Sequence, residues 1–184
     1  MKRKDRGLEK DIFTMLHDFV WILAVVTLVF VFVIRLVAVS GPSMTPTLKD
    51  GEYVLLRSNF LCCSYRPGDV VVATVPGFDA SRPIVKRVIA TEGQTVDIDF
   101  STGEVRVDGE VQDEPYINEP TLTNFDDGLT YPVTVPEGCV FLMGDNRNHS
   151  SDSRYAPIGC VETDNILGKV ILRIFPFSRI GRVT

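Results

Sequence analysis

Ser43, Lys86 and the polar run from Gly144 to Arg154 supply the residue types that acyl transfer requires. A serine hydroxyl is a weak nucleophile at neutral pH unless a neighbouring base takes its proton in the transition state. Ser43 sits in Ser40-Gly-Pro-Ser-Met-Thr-Pro-Thr-Leu48, four residues past the end of a membrane-length apolar run. Of the two histidines, His17 precedes that run and lies on its other side, which leaves His149 as the one imidazole within reach. A Ser43/His149/Asp152 triad is conceivable, because triads are defined by geometry and not by chain order. Lys86 is the stronger candidate base. No cysteine has a plausible base nearby, which sets a Cys/His protease aside.

Lys86 lies in Arg82-Pro-Ile-Val-Lys-Arg-Val-Ile-Ala90, where period-two alternation puts Ile84, Lys86 and Val88 on one face of a strand. Burial among apolar neighbours disfavours the charged ammonium and lowers a lysine pKa towards the range of a general base. Val85 and Ile89 make the opposite face, shared with Arg87, equally apolar. The strand alone therefore leaves open whether Lys86 points into the protein or guards a solvent edge. Gly144-Asp-Asn-Arg-Asn-His-Ser-Ser-Asp-Ser-Arg154 follows the apolar Cys139-Val-Phe-Leu-Met143. It reads either as a solvated loop of turn formers or as an ion-paired scaffold behind an active site.

These groups need an anchor and a scaffold. Phe19 to Ile34 contains sixteen residues without a charge, and Leu36 to Val39 extends the run to 21 positions across a single Arg35. At about 1.5 Å per residue, a helix over residues 19–39 spans a hydrocarbon core of about 30 Å. Arg35, one turn from its end, can snorkel to the interface. Residues 1–18 carry the dense basic cluster, so the Lys/Arg bias predicts a single pass with a cytoplasmic N-terminus and residues 40–184 extracytoplasmic. A cleaved signal peptide is the competing reading, but its apolar region is shorter, about 7–15 residues.

Beyond Ser40, β-branched and aromatic runs recur between turn signals: 52–57, 69–75, 84–90, 95–100, 104–107, 132–135, 139–143 and 168–175. This spacing predicts a mainly β fold: the N-terminal transmembrane helix, then an antiparallel coiled or barrel-like β domain over 40–184. A more polar stretch, about 97–129, reads as a small β insertion or cap. With 184 residues, 45% of them apolar, the chain holds one anchor and one modest domain. Residues 1–39 hold six Lys/Arg against four Asp/Glu, and residues 40–184 hold 13 against 20. So acidic a domain argues against nucleic acid as partner.

Four ordered pieces together resemble the type I signal peptidases, membrane-bound Ser/Lys leader peptidases. They are the anchor with Ser40-Gly-Pro-Ser-Met-Thr-Pro-Thr-Leu48, Arg66-Pro-Gly-Asp-Val-Val-Val72, Val85-Lys-Arg-Val-Ile-Ala-Thr-Glu-Gly93, and Gly144 to Arg154. The resemblance covers essentially the whole chain. It implies a serine endopeptidase that removes signal peptides from exported preproteins after small-x-small sites, through an acyl-enzyme. Ser43 corresponds to the nucleophile and Lys86 to the general base. Ser150 corresponds to a serine that hydrogen-bonds the lysine, and Asp152 and Arg154 to residues that support the site. Asp145 and Arg147 are structural in this reading. The resemblance further points to Val39, Met44, Leu48, Ile84 and Val85 as pocket lining, residues whose ordinary role would be β core. It requires no metal or other cofactor.

The implied partners are signal peptides and membrane lipid; the sequence itself leaves the oligomeric state open, with a monomer as the expectation. Some relatives use a serine two positions before the nucleophile as an oxyanion donor. Gly41 stands there, and Pro42 has no N–H, so the Ser43 N–H is the one identifiable donor. Phe60-Leu-Cys-Cys-Ser-Tyr65 and Val75-Pro-Gly-Phe78 put apolar residues on loops, either to enter the membrane interface or to pack internally. Cys62, Cys63, Cys139 and Cys160 allow three pairings, and the adjacent pair is too close to bridge without strain. Two alternatives remain: a cytosolic self-cleaving repressor protease, which would lack the apolar span, and a non-catalytic membrane-anchored β domain that binds or assembles extracytoplasmic proteins.

Overall fold

The computed structural model describes residues 2–59, 64–125 and 129–183. A helix, α1 (Lys2–Phe32), opens the chain. Its stretch Lys10–Phe32 is 23 residues long with a mean hydropathy of 2.3, and none of it is covered by the rest of the protein. A helix of that length, about 35 Å, is long and apolar enough to cross a bilayer.

The helix stops earlier than the apolar run does. Residues 34–38 form a strand, β1 (Ile34–Ala38), paired antiparallel with β2 (Tyr53–Ser58) from Ile34↔Arg57 to Ala38↔Tyr53. The Ser58 N–H extends the pairing by donating to the Val33 carbonyl. The expected helix over 19–39 is thus corrected: it ends at Phe32, and residues 34–38 become the first strand of the domain. Valine and isoleucine suit a pleated surface as well as an apolar helix, so the available partner β2 decides. Arg35 is an exposed strand residue opposite Leu56, and not a snorkelling helical one.

The main sheet runs β1-β2-β11-β3-β4-β9-β10, antiparallel at every pairing, with β12 attached to β11. Its other strands are β3 (Val70–Ala73), β4 (Ile84–Thr91), β9 (Cys139–Met143), β10 (Val161–Glu162), β11 (Ile166–Phe175) and β12 (Gly181–Arg182). Register shifts in β11 at Ile166/Gly168, Val170/Leu172 and Arg173/Phe175, and in β4 at Val88/Ala90, bend the sheet into a curled half-barrel. A second, four-stranded sheet, β7-β6-β5-β8, is built from β5 (Thr95–Asp99), β6 (Glu104–Val107), β7 (Glu110–Val111) and β8 (Val133–Thr134). The mainly antiparallel β fold read from the sequence is the fold found. Four strands had not been foreseen; three of them, β7, β10 and β12, are two-residue pairings too short to leave a pattern.

Three buried clusters hold these sheets. One joins Val39, Met44 and Leu48 to Val54, Leu56, Val72 and Val85. A second centres on Val71, Val88, Val140 and Leu142. The third packs Val96, Ile98, Val105 and Val107 of the small sheet on Ile89, Phe141 and Met143 of the large one. The polar-looking insertion therefore buries its alternate residues against the core, as a half-buried strand must. Val75 and Phe78 also pack inward, Phe78 edge-on to Tyr155 at 6.1 Å, so internal packing describes that loop. Phe60, Leu61, Cys62 and Cys63 lie outside the described residues, as do Asp126 to Gly128. Cys139 and Cys160 are free thiols at the edge of the third cluster.

Candidate active site

The segment from Val39 to Leu48 wraps the end of β1 so that Ser43 faces β4. Gly41 takes φ +84°, a left-handed conformation open to glycine, and its N–H donates to Asp50 Oδ1 at 2.8 Å. Met44 and Leu48 on either side of the following turn are fully buried, which pins the segment to the first cluster. From the other direction, Asn146 holds the backbone: its N–H donates to the Ser43 carbonyl at 3.0 Å and its Nδ2 to the Pro42 carbonyl at 3.1 Å. Ser43 is thus positioned by main-chain contacts on both flanks.

Lys86 projects from β4, and its side chain turns inward, with 3% of the residue exposed. Its Nζ donates to Ser43 Oγ at 2.8 Å. Among the described residues no carboxylate forms an ion pair with it. Burial is the main cause that lowers the Lys86 pKa to about 8; Asp152 pulls it back up, Arg154 pushes it down, and Asp145 again raises it. With a pKa of about 8 a usable minority of the lysine is the free amine at neutral pH, and that amine can accept a proton from the hydroxyl it touches.

Behind this pair lies an ion-paired layer. The Gly144 N–H donates to Asp152 Oδ2 at 2.9 Å, and Arg154 grips the same carboxylate through Nε at 2.8 Å and Nη2 at 2.9 Å. Arg154 Nη2 also donates to the Arg147 carbonyl at 2.6 Å, which closes the 147–154 loop on itself. Arg87, one residue beyond Lys86 and 1% exposed, holds Asp145 with two hydrogen bonds of 2.8 and 2.7 Å. Arg147 forks onto Glu114 of the insertion and donates to Thr121 Oγ1 at 2.9 Å. Gly144 to Arg154 forms the ion-paired scaffold, and its bidentate geometry makes it rigid.

Gly144 carries a steric role. A Cβ placed there would lie 2.2 Å from Ser150 Oγ and 2.5 Å from the Ser43 carbonyl oxygen. Only glycine lets these two serines approach the same backbone position. Ser150 is buried as expected, but among the described residues its hydroxyl has no hydrogen-bond partner, so the expected bond from Ser150 to Lys86 is not made. A buried orphan hydroxyl costs about 1–3 kcal/mol, and here it lies against the residue that flanks Ser43.

The Ser43/His149/Asp152 triad does not assemble. His149 is exposed, both Asp152 oxygens are engaged by Arg154 and the Gly144 N–H, and Ser43 Oγ is taken by Lys86. The proposed lining residues fall mostly in core: Val39, Met44, Leu48 and Val85 share the first cluster, while Ile84, partly exposed, packs on the second. Among the described residues no group of three or more His, Cys, Asp or Glu is placed to hold a metal ion. Sequence reasoning missed three contributors, namely Arg87, Glu114 and Tyr116. The one signal for Glu114 and Tyr116 was Asp113-Glu-Pro-Tyr116, an acidic and aromatic run in an otherwise plain polar stretch.

The chain matches the family described as signal peptidase, peptidase S26, over residues 12–175. It is 37% identical over 154 residues to a probable signal peptidase I-1 of Synechocystis, covering 79% of this chain and 73% of the relative. To signal peptidase IB of Staphylococcus aureus it is 34% identical over 162 residues, 80% of this chain and 81% of the relative. The crystal structure of a signal peptidase I from Enterococcus faecalis V583 shares 28% identity and superimposes over 58% of this chain and 96% of its own, with a TM-score of 0.48. With a buried lysine on a serine hydroxyl, an apolar N-terminal helix and a family match across most of its length, the chain belongs to the signal peptidases of peptidase family S26, which are serine endopeptidases.

Proposed function

We propose that this protein cleaves signal peptides from exported preproteins after small-x-small sites, with Ser43 as nucleophile and Lys86 as general base. The observation that carries the reading is the 2.8 Å contact between a nearly unexposed Lys86 Nζ and Ser43 Oγ. In its neutral form Lys86 takes the Ser43 proton as Oγ attacks the scissile carbonyl. The ammonium so formed protonates the departing amine, leaving an ester between Ser43 and the signal peptide. A water then enters, loses a proton to the same amine, and hydrolyses that ester. The Ser43 N–H is the donor left for the developing oxyanion, since the Gly41 N–H is committed to Asp50 and Pro42 has none. Ser150, Asp152 and Arg154 support the site without touching the reacting atoms.

Register supplies a place for the substrate backbone. β9 begins its pairing with β4 at Arg87↔Met143, whereas β3 pairs with β4 from Ile84 onward. Residues 84–86 thus run past the end of β9 with one strand partner instead of two, next to Ser43. An extended peptide can add to that edge, with its small side chains against Ile84, the partly exposed member of the expected lining, while Val39, Met44, Leu48 and Val85 back the site from the core. Bulky side chains are refused because those walls are already packed.

Register also favours cleavage close to a bilayer. Ile34, two residues past α1, is in line with Arg57, then Lys169, Val71 and Lys86. Four strand spacings of about 4.8 Å put Lys86 within about 20 Å of the helix end along a curled sheet. Membrane insertion of α1 with the basic segment cytoplasmic would then hold the catalytic domain at the extracytoplasmic surface, acting as a monomer.

The test is cleavage of an exported preprotein by the full chain in detergent. Ser43→Ala and Lys86→Ala abolish turnover to a background about 10²–10⁴-fold lower or beyond, while His149→Ala retains it. Full activity in Lys86→Ala would overturn the assignment, and no cleavage of several preproteins by the wild type would favour a non-catalytic binding domain.

A further inference from the structure

The insertion does more than cover the core, because its Glu114-Pro-Tyr116 segment reaches back to the ion-paired layer. The Tyr116 ring lies under the Arg87 guanidinium at 3.9 Å from centroid to Cζ, and Arg147 Cζ stands 5.9 Å from the same ring. The Tyr116 hydroxyl donates to Glu114 Oε1 at 3.1 Å, and Glu114 holds Arg147. One tyrosine is therefore shared between Arg87, the residue next to Lys86, and Arg147, three residues before Ser150.

We propose that Tyr116 is a positioning residue for the reaction: its ring clamps Arg87 onto Asp145 and so limits how strongly the Asp145 charge acts on Lys86. The inference rests on Lys86 being the general base. Asp145 is fully buried, and its two oxygens are engaged by Arg87, with Thr47 Oγ1 as a further donor. Beside the stacked pair lies an open groove of about 870 Å³, lined by Arg87 and Tyr116 together with Asp69, Asp113 and Lys169. Stacking on an aromatic face and exclusion of water together hold a guanidinium in place. Without the ring, water and the Asp69 and Asp113 carboxylates compete for Arg87, and Asp145 is left underneutralised.

Lys86 would feel that change directly. The charged groups that act on it are Asp152, Arg154 and Asp145, of which the two acids favour its ammonium form. Asp152 stays locked by Arg154, whose guanidinium does not depend on Tyr116. Asp145 is the acid left to vary. A freer Asp145 carboxylate stabilises the protonated lysine and moves deprotonation to higher pH.

The experiment is a pH profile of kcat/KM on a preprotein substrate for the full chain in detergent, comparing wild type with Tyr116→Phe and Tyr116→Leu. Tyr116→Phe keeps the ring and should retain the wild-type acid limb. Tyr116→Leu should move that limb up by about one pH unit, which is about a tenfold loss at neutral pH, with activity regained at high pH. If the leucine variant does not fold, Tyr116→Met, which fills more of the same space, is measured instead. An unchanged limb in a folded variant, or a loss equal at every pH, would overturn the proposal in favour of a purely structural tyrosine. Retained activity in Lys86→Ala would instead sink the underlying assignment of the base.

Discussion

Lys86 and Arg87 are neighbours on one strand, both cationic by type and both nearly inaccessible to water, yet the protein treats them in opposite ways. Arg87 receives a bidentate carboxylate, the Gly68 carbonyl at 2.8 Å and an aromatic face. Lys86 receives a serine hydroxyl. A guanidinium cannot shed its proton in a protein, so burial forces full compensation of its charge. An ammonium can, so the same burial without a carboxylate converts it into a base. Pairing, and not burial, separates the chemical group from the structural one.

That contrast predicts stability changes of opposite sign. Arg87→Met should destabilise the protein by about 3–5 kcal/mol, because it leaves the buried Asp145 charge without its partner. Lys86→Met should stabilise it near neutral pH. The folded-state pKa of Lys86, about 8, lies below that of a lysine in the unfolded chain, so between them the unfolded state binds more protons. Wild-type stability therefore rises with pH from about 8 to about 10.4, and the cost, roughly 3 kcal/mol, is fully present below that window. Lys86→Met removes both the cost and the slope. Denaturant melts of the two variants at pH 7 and 10 decide the matter: if both destabilise at pH 7, the contrast between the two cations fails.

Gly144 stands between the two regions and allows a smaller, mixed effect. Gly144→Ala places a methyl within 2.2 Å of Ser150 Oγ and 2.5 Å of the Ser43 carbonyl oxygen. Accommodating it should cost about 1–3 kcal/mol of stability, as overpacking does. The catalytic loss should exceed what that stability change explains, since the displaced atom belongs to Ser43. A thermal melt beside a kcat measurement on folded protein separates the two, and unaltered kcat would show that Ser43 tolerates the shift.

Much of this division was legible in the chain and part of it was not. The strands announced themselves as β-branched and aromatic runs between turn signals, and Lys86 was found because its strand, which the fold buries on both faces, is apolar on both sides. That very symmetry hid Arg87: period-two alternation gives both faces equal standing and cannot say which cation meets a carboxylate. The anchor was overextended to residue 39 because Ile34-Arg-Leu-Val-Ala38 satisfies a helix and a strand equally, and its pairing with β2 is non-local. The Ser150 bond to Lys86, taken from resemblance, is not present, and no local pattern fixes the direction of a hydroxyl. Tyr116 lies 29 residues after Arg87 in sequence, beyond any periodicity.

The smallest effect belongs to the side of the layer farthest from the chemistry. Asn148 ties the insertion to the 144–154 loop: its Oδ1 accepts from the Leu122 N–H, the Thr123 N–H and Thr123 Oγ1, and its Nδ2 donates to the Pro120 carbonyl. The contacts are partly exposed, so water replaces much of what Asn148→Ala removes, and the net loss should be about 1 kcal/mol. Hydrogen exchange should show the loss locally, with Leu122 and Thr123 amides exchanging faster while those of β4 and β9 keep their protection. Arg147 remains fastened to Glu114 in that variant, so Tyr116 stays under Arg87 and the acid limb of the pH profile does not move. A shift of that limb in Asn148→Ala would mean that the whole insertion, and not the tyrosine alone, sets the charge felt by Lys86.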